Sequence, residues 1–189
     1  MTGETFSAPR PGRLPRILVA ASSRYGATTG IARAIGEELC RHRLTAVVLA
    51  PGEVASIEEY DAVILGSAVY SGHWLEPAKE LIARSAAALA VRPVWLFSSG
   101  PVGDPARRLV QSMGQDPVDL PGLQAAARAR GHQMFAGKLD RKNLRFAQRT
   151  SLMLFRGLEG DFRDWPAIRE WAAGIAGQLT SPGALRAAS

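Results

Sequence analysis

A single cysteine, Cys40, leaves this chain of 189 residues no way to form an internal disulfide. That suits a reducing compartment. No stretch approaches the ~20 consecutive apolar residues that a membrane-spanning helix needs. The opening residues MTGETFSAPRPGRLP lack an apolar block of signal-peptide length. Familiar nucleotide signatures are missing too. Without GxxxxGK(S/T) there is no basis for a P-loop, and without GxGxxG after the first strand the dinucleotide fingerprint fails. Ala20, Ala21 and Gly66 stand where a phospho-acceptor receiver domain would need acidic residues. There is no zinc-ligand spacing, no internal repeat and no basic-aromatic motif for nucleic acid. Acidic charge is in short supply, 17 Asp+Glu against 23 Lys+Arg, and the balance of +6 favours acidic partners or anionic lipid heads. The expected location is the cytoplasm, with peripheral contact at the inner face of the cell membrane as a further option.

What is present is an alternation of short apolar runs and helical periods. RILVAA (16–21) reads as a strand buried on both faces. TTGIARAIGEELC follows, with Ile31, Ile35 and Leu39 at helical spacing. LTAVVL (44–49) predicts a second strand, and 57–60 a short helical or loop element. A third strand over 62–65 ends at Gly66-Ser67. A helix is predicted over 75–88, with Pro77 in its first turn. PVWLF (93–97) is the fourth strand, 121–130 a short helix, 132–135 the fifth strand and 165–179 the last helix. The pattern predicts a three-layer α/β/α sandwich around a parallel five-stranded sheet of order 2-1-3-4-5. It is expected to occupy one domain, 16–180, with a flexible N-terminal tail at 1–15 and a C-terminal tail at 181–189.

In such sheets ligands sit beyond the carboxyl ends of the strands, where strand order reverses. The loop SSRYGAT joins strand one to helix one. It offers the hydroxyls of Ser22, Ser23 and Thr28, the backbone of Arg24, Tyr25 and Ala27, and a glycine at Gly26 where a backbone can approach an anion. A helix N-terminus behind short donors suits a phosphate. The competing reading is a plain Ser/Gly turn that caps a helix.

After strand three comes GSAVYSGHW. Small residues at Gly66, Ser67 and Ala68 would let a flat ring approach, Val69 leads on to Tyr70, and Tyr70 and Trp74 are candidate stacking faces. Ser71 and Gly72 make a turn. After strand four the loop Ser98, Ser99, Gly100, Pro101, Val102, Gly103 is again small and polar. Three strand ends thus converge on a flat ligand with a phosphate tail, which FMN fits. His73 is the candidate catalytic residue, as a proton relay beside the ring; the alternative is a structural bond to the loop backbone. His42 and His132 read as structural, Trp95 as core, Asp104 and Asp116 as turn carboxylates, and Cys40 as a thiol without a redox role.

SSRYGAT, YDAVILGSAVYSGHW, the strand-end SSG and the late FAGKLD together resemble the flavodoxin-domain family of menaquinone-dependent protoporphyrinogen oxidase, from about residue 16 to 179. The resemblance implies FMN as cofactor, with Ser22, Ser23, Arg24, Gly26 and Thr28 on its phosphate. It places Ala68 through His73 and Ser98 through Gly103 around the isoalloxazine ring. Further implied are a heme-pathway porphyrinogen as electron donor and a quinone as acceptor. The chain departs from that family at Tyr70, where a basic residue is usual, and at Ser71, where an aromatic one is usual. A one-electron carrier and a non-catalytic FMN-binding module stay open as alternatives; ordinary carrier flavodoxins are typically acidic, unlike this chain.

One further segment carries charge. Over 140–160 the chain reads DRKNLRFAQRTSLMLFRGLEG. Wound as a helix, it gathers Arg141, Arg145, Arg149 and Arg156 within about 80°, with Lys142 nearby and Leu144, Ala147, Leu154, Phe155 and Leu158 opposite. Such a helix can lie on an anionic membrane or bind an acidic substrate such as a porphyrin. It can equally pack on its own domain with its arginines solvated.

Overall fold

The run RILVAAS forms β1 (Arg16–Ser22), and both of its faces are covered. Ile17, Val19 and Ala21 enter one apolar cluster, Leu18 and Ala20 the other. A strand buried on both sides belongs at the centre of a layered fold. The computed structural model describes residues 14–100, 116–139 and 160–181 and places it there.

The elements that follow are α1 (Ala27–Arg41), β2 (Thr45–Leu49), a single 3-10 turn (Pro51–Glu53), β3 (Ala62–Tyr70), β4 (His73–Trp74), α2 (Glu76–Arg84), α3 (Ala86–Ala90) and β5 (Val94–Ser99). Then come α4 (Leu120–Ala127), β6 (Gly131–Phe135), β7 (Lys138–Leu139), β8 (Gly160–Asp161) and α5 (Trp165–Thr180). Parallel pairing gives the order β2-β1-β3-β5-β6, the expected 2-1-3-4-5 arrangement of the five parallel strands. Ile31, Ile35 and Leu39 of α1 and Ile168, Ala172 and Ile175 of α5 cover one face. Ala78, Leu81 and Ile82 of α2, Leu89 of α3 and Leu120 and Leu123 of α4 cover the other. Helix α5 starts on a true cap, because the Asp164 carboxylate accepts the Ala167 N–H at 3.0 Å.

The structure corrects several boundaries. The third strand does not stop at Ser67 but runs to Tyr70, where Ser71 (φ 50°) and Gly72 (φ 80°) turn it back into β4. The segment expected as a loop is therefore a two-residue β-hairpin. Its small residues are ladder positions, with Ser67 paired to Ser22 on one side and to Ser98 on the other. Likewise β5 extends through Ser98 and Ser99. The helix expected over 75–88 breaks at Ser85, whose φ of −111° leaves the helical range. Residues 57–60 take the loop form of the expected element, a turn closed by the Tyr60 N–H on the Ile57 carbonyl at 3.1 Å. The antiparallel β7–β8 pair has no counterpart in the sequence pattern.

Gly66 serves packing here. A Cβ at this position would lie 2.1 Å from the Phe97 ring. Phe97 is fully buried and contacts Phe135 and Trp171, each with ring centroids 6.2 Å away. The residue expected to admit a flat ligand thus admits an aromatic ring of the protein's own core.

Candidate functional site

Between β1 and α1 the chain turns through Gly26, at φ 82° and ψ −9°. That left-handed conformation costs an L side chain roughly 1–2 kcal/mol and glycine nothing comparable. The cap position is Gly26, which has no side chain to offer, among the described residues no other side chain caps α1, and its first turn holds no acidic residue. Its first N–H groups, at Ala27, Thr28 and Thr29, have no carbonyl four residues back within the helix. Among the described residues no acceptor engages them, so the positive end of the helix presents these donors. Ser22 and Thr28 are buried and Ser23 is half-buried, and among the described residues no hydrogen bond engages these three hydroxyls. A Cβ on Gly26 would find no described atom within 4 Å. Open space, short hydroxyls and aligned amides fit the phosphate of FMN.

The hairpin brings a second set of groups to the same edge. Tyr70 ends β3 and faces Tyr25 of the loop, edge to face, with ring centroids 6.5 Å apart. The Arg24 guanidinium carbon stands 5.7 Å from the Tyr25 ring centre and 5.6 Å from that of Tyr70. Burial raises the Tyr70 phenol above its ordinary value, Tyr25 adds to this and Arg24 opposes it, so at neutral pH Tyr70 is a neutral aromatic face. His73 pairs with Tyr70 across the hairpin. Its ring is half-exposed, with Nδ1 3.6 Å from Asp119 Oδ2. The same carboxylate accepts the Trp74 N–H at 3.1 Å and lies 3.9 Å from Lys79 Nζ.

Beneath this edge runs a row of serines in register, Ser22, Ser67 and Ser98. The Ser67 hydroxyl accepts the Leu75 N–H at 2.9 Å and donates to the Ala68 carbonyl at 2.8 Å. Ser98 Oγ accepts the Trp74 indole N–H at 2.8 Å and lies 2.8 Å from His132 Nε2. Both hydroxyls are committed to the framework, so backbone is what Ser67 and Ser98 can offer a ligand. Trp74, expected as a stacking face, is instead 2% exposed and belongs to the core. Its indole was drawn inward by the Ser98 acceptor, which no local pattern reveals. His132 sits under the sheet end with Nδ1 3.6 Å from Asp116, and burial lowers its pKa despite that carboxylate. Ser99 is buried, while the Gly100 N–H donates to the Phe135 carbonyl at 3.0 Å and holds the start of the next loop against β6. Ala68 is buried and Val69 half-buried. Ser71 lies exposed at the turn, where Gly72 accepts the Val118 N–H at 2.8 Å.

Arg163 carries no motif in the sequence that marks its role. Its guanidinium pairs with Asp161, lies 4.3 Å from the centre of the Trp165 ring and donates to the Ala27 carbonyl at 3.3 Å. It thereby ties the start of α5 to the start of α1. The spacing Asp161-x-Arg163 is the one local signal, but its target lies 136 residues away. Pro101, Val102 and Gly103 and the basic stretch Arg141, Lys142, Arg145, Arg149 and Arg156 lie outside the described residues. Grooves of about 500 and 180 Å³ follow α1 and β2, lined by residues such as Arg33, Gly36 and Val48; neither includes the Ser22–Thr28 loop or the hairpin. Among the described residues no cluster of three His, Cys, Asp or Glu could hold a metal ion, and no helix is long and apolar enough to cross a membrane.

Residues 18–164 match the family described as Flavodoxin domain. No curated protein matches the sequence. Among solved structures, a flavodoxin from the domain Archaea is similar at TM-score 0.60 and 16% identity, over 88% of this chain and 99% of that one. Oxidised Flavodoxin 1 from Bacillus cereus is similar at TM-score 0.56 and 13% identity, over 87% of this chain and 99% of that one. Rubredoxin oxygen:oxidoreductase from Desulfovibrio gigas matches at TM-score 0.58 and 14% identity, covering 93% of this chain but 37% of its own. At such identities the likeness is one of fold.

Proposed function

This chain belongs to the flavodoxin-domain family, and on that premise we propose that it is an FMN-dependent oxidoreductase. The observation that carries the reading is the uncapped start of α1 behind a left-handed Gly26, with Ser22, Ser23 and Thr28 around it. Bound there, FMN supplies the redox chemistry. The α1 amides and the three hydroxyls hold the phosphate, and Tyr70 offers the ring an aromatic face. His73, the cross-strand neighbour of Tyr70, is half-exposed and would be the residue to exchange a proton with solvent beside a bound flavin. Ser67 and Ser98 fix the strand ends from below through Leu75, Trp74 and His132.

The more specific reading is oxidation of a porphyrinogen with a quinone as acceptor. It is supported by the segments SAVYSGHW and FAGKLD and by the net charge of +6, which suits an acidic substrate or an anionic membrane surface. The arginines at 141, 145, 149 and 156 are the proposed contact for either. A one-electron carrier is the second reading, favoured by the fold shared with the archaeal flavodoxin. Purification followed by identification of the released chromophore tests the cofactor: a yellow protein that releases FMN supports it, and a colourless one that refuses FMN at micromolar concentration overturns it. Anaerobic reduction followed by rapid reoxidation with menaquinone supports the enzyme over the carrier. Reduced protein that menaquinone leaves untouched removes the quinone reading.

A further inference from the structure

Arg24 belongs to the loop that cradles the phosphate, yet its side chain is turned toward aromatic rings. The guanidinium is shared between Tyr25 and Tyr70 at nearly equal distances, 5.7 and 5.6 Å. Among the described residues no carboxylate pairs with it. A planar cation placed against two rings is oriented by both, and lysine could not reproduce that stacking. The charge is therefore held beside the ring of Tyr70 at the end of β3.

We propose that Arg24 sets the redox preference of the bound flavin by placing a fixed positive charge beside the isoalloxazine ring, rather than by gripping the phosphate. This rests on the FMN reading above. The phosphate carries the same charge in both redox states, so a cation on it strengthens oxidised and reduced FMN alike. The ring differs, because two-electron reduction leaves it anionic at neutral pH, and a cation near its nitrogens favours that form. The attraction falls with distance and with solvent screening, so the position of the guanidinium decides the effect. Tyr70 and Tyr25 supply that position.

The test uses the full chain with Arg24→Met and Arg24→Lys. Flavin fluorescence gives the Kd of oxidised FMN and of riboflavin, which lacks the phosphate, and equilibration with a reference dye gives the midpoint potential. In Arg24→Met the two flavins should weaken by the same factor, under threefold. Reduced FMN should lose about tenfold in affinity relative to oxidised FMN, which lowers a two-electron potential by about 30 mV. Arg24→Lys, which keeps the charge without the stack, should recover part of that shift. Loss of FMN affinity with riboflavin unaffected and the potential unchanged would assign Arg24 to the phosphate and overturn the proposal. A wild-type protein that binds neither flavin overturns the cofactor reading itself, a result distinct from either outcome in the variants.

Discussion

Exchanging Gly26 for alanine and for asparagine separates what the loop needs for folding from what it needs for an anion. The backbone at Gly26 sits at φ 82°. Alanine in that basin costs about 1–2 kcal/mol. No described atom lies within 4 Å of the added Cβ, so no internal clash enlarges the cost. Urea unfolding should therefore show a loss of about 1–2 kcal/mol, which a domain of ordinary stability, roughly 5–15 kcal/mol, survives. FMN affinity should fall further, because the methyl group enters the open space beside the cradle and holds the anion off the α1 amides. One hydrogen bond to a charged group is worth about 1.5–3 kcal/mol, or roughly 10- to 150-fold in Kd. Asparagine tolerates the left-handed basin, so Gly26→Asn should regain most of the stability while still losing FMN. Riboflavin, titrated by the same fluorescence assay, should be nearly indifferent to both changes. A Gly26→Asn protein that is stable and binds FMN as tightly as wild type would refute the cradle.

Three other perturbations test the frame around the site. Gly66→Ala drives a Cβ to 2.1 Å from the fully buried Phe97 ring, so unfolding should show a loss toward the upper end of the overpacking range, about 3 kcal/mol. Adding Phe97→Leu should return part of it, and an unchanged Gly66→Ala midpoint would contradict the packing argument. Ser98→Ala removes the acceptor of the buried Trp74 indole N–H; an unpaired buried donor costs about 1–3 kcal/mol, and a stability equal to wild type would show that the bond contributes nothing. The third concerns pH. Burial lowers the His132 pKa, with Asp116 opposing, so the unfolded chain takes up this proton more readily than the folded one. The stability associated with neutral His132 is complete above about pH 6.5 and is lost as pH falls from there through the lowered folded value. His132→Gln should flatten the stability profile between about pH 7 and pH 5 relative to wild type, and parallel profiles would refute the assignment.

Much of the fold is legible because its causes are local. Ile31, Ile35 and Leu39 repeat at helical spacing over one buried face of α1, and the alternation of Ile17, Leu18, Val19 and Ala20 between two clusters follows from strand geometry. The turn from β1 into α1 is legible for the same reason, since a glycine and short hydroxyls between a strand and a helix act through nearby backbone. Side-chain destinations are not. Small polar residues from Gly66 to Trp74 look like a loop, yet Ser67 and Ser98 occupy central ladders because their hydroxyls find partners 8, 24 and 34 residues away. The β3–β4 hairpin and the register of β3, β5 and β6 bring those partners within reach, and register is a property of the assembled sheet. Arg24 follows the same rule. Its place in the sequence puts it in the β1–α1 loop, while its guanidinium meets the ring of Tyr70, which the β1–β3 pairing brings alongside. Local order thus announces where a strand hands over to a helix, and sheet register decides which side chains stand around that junction.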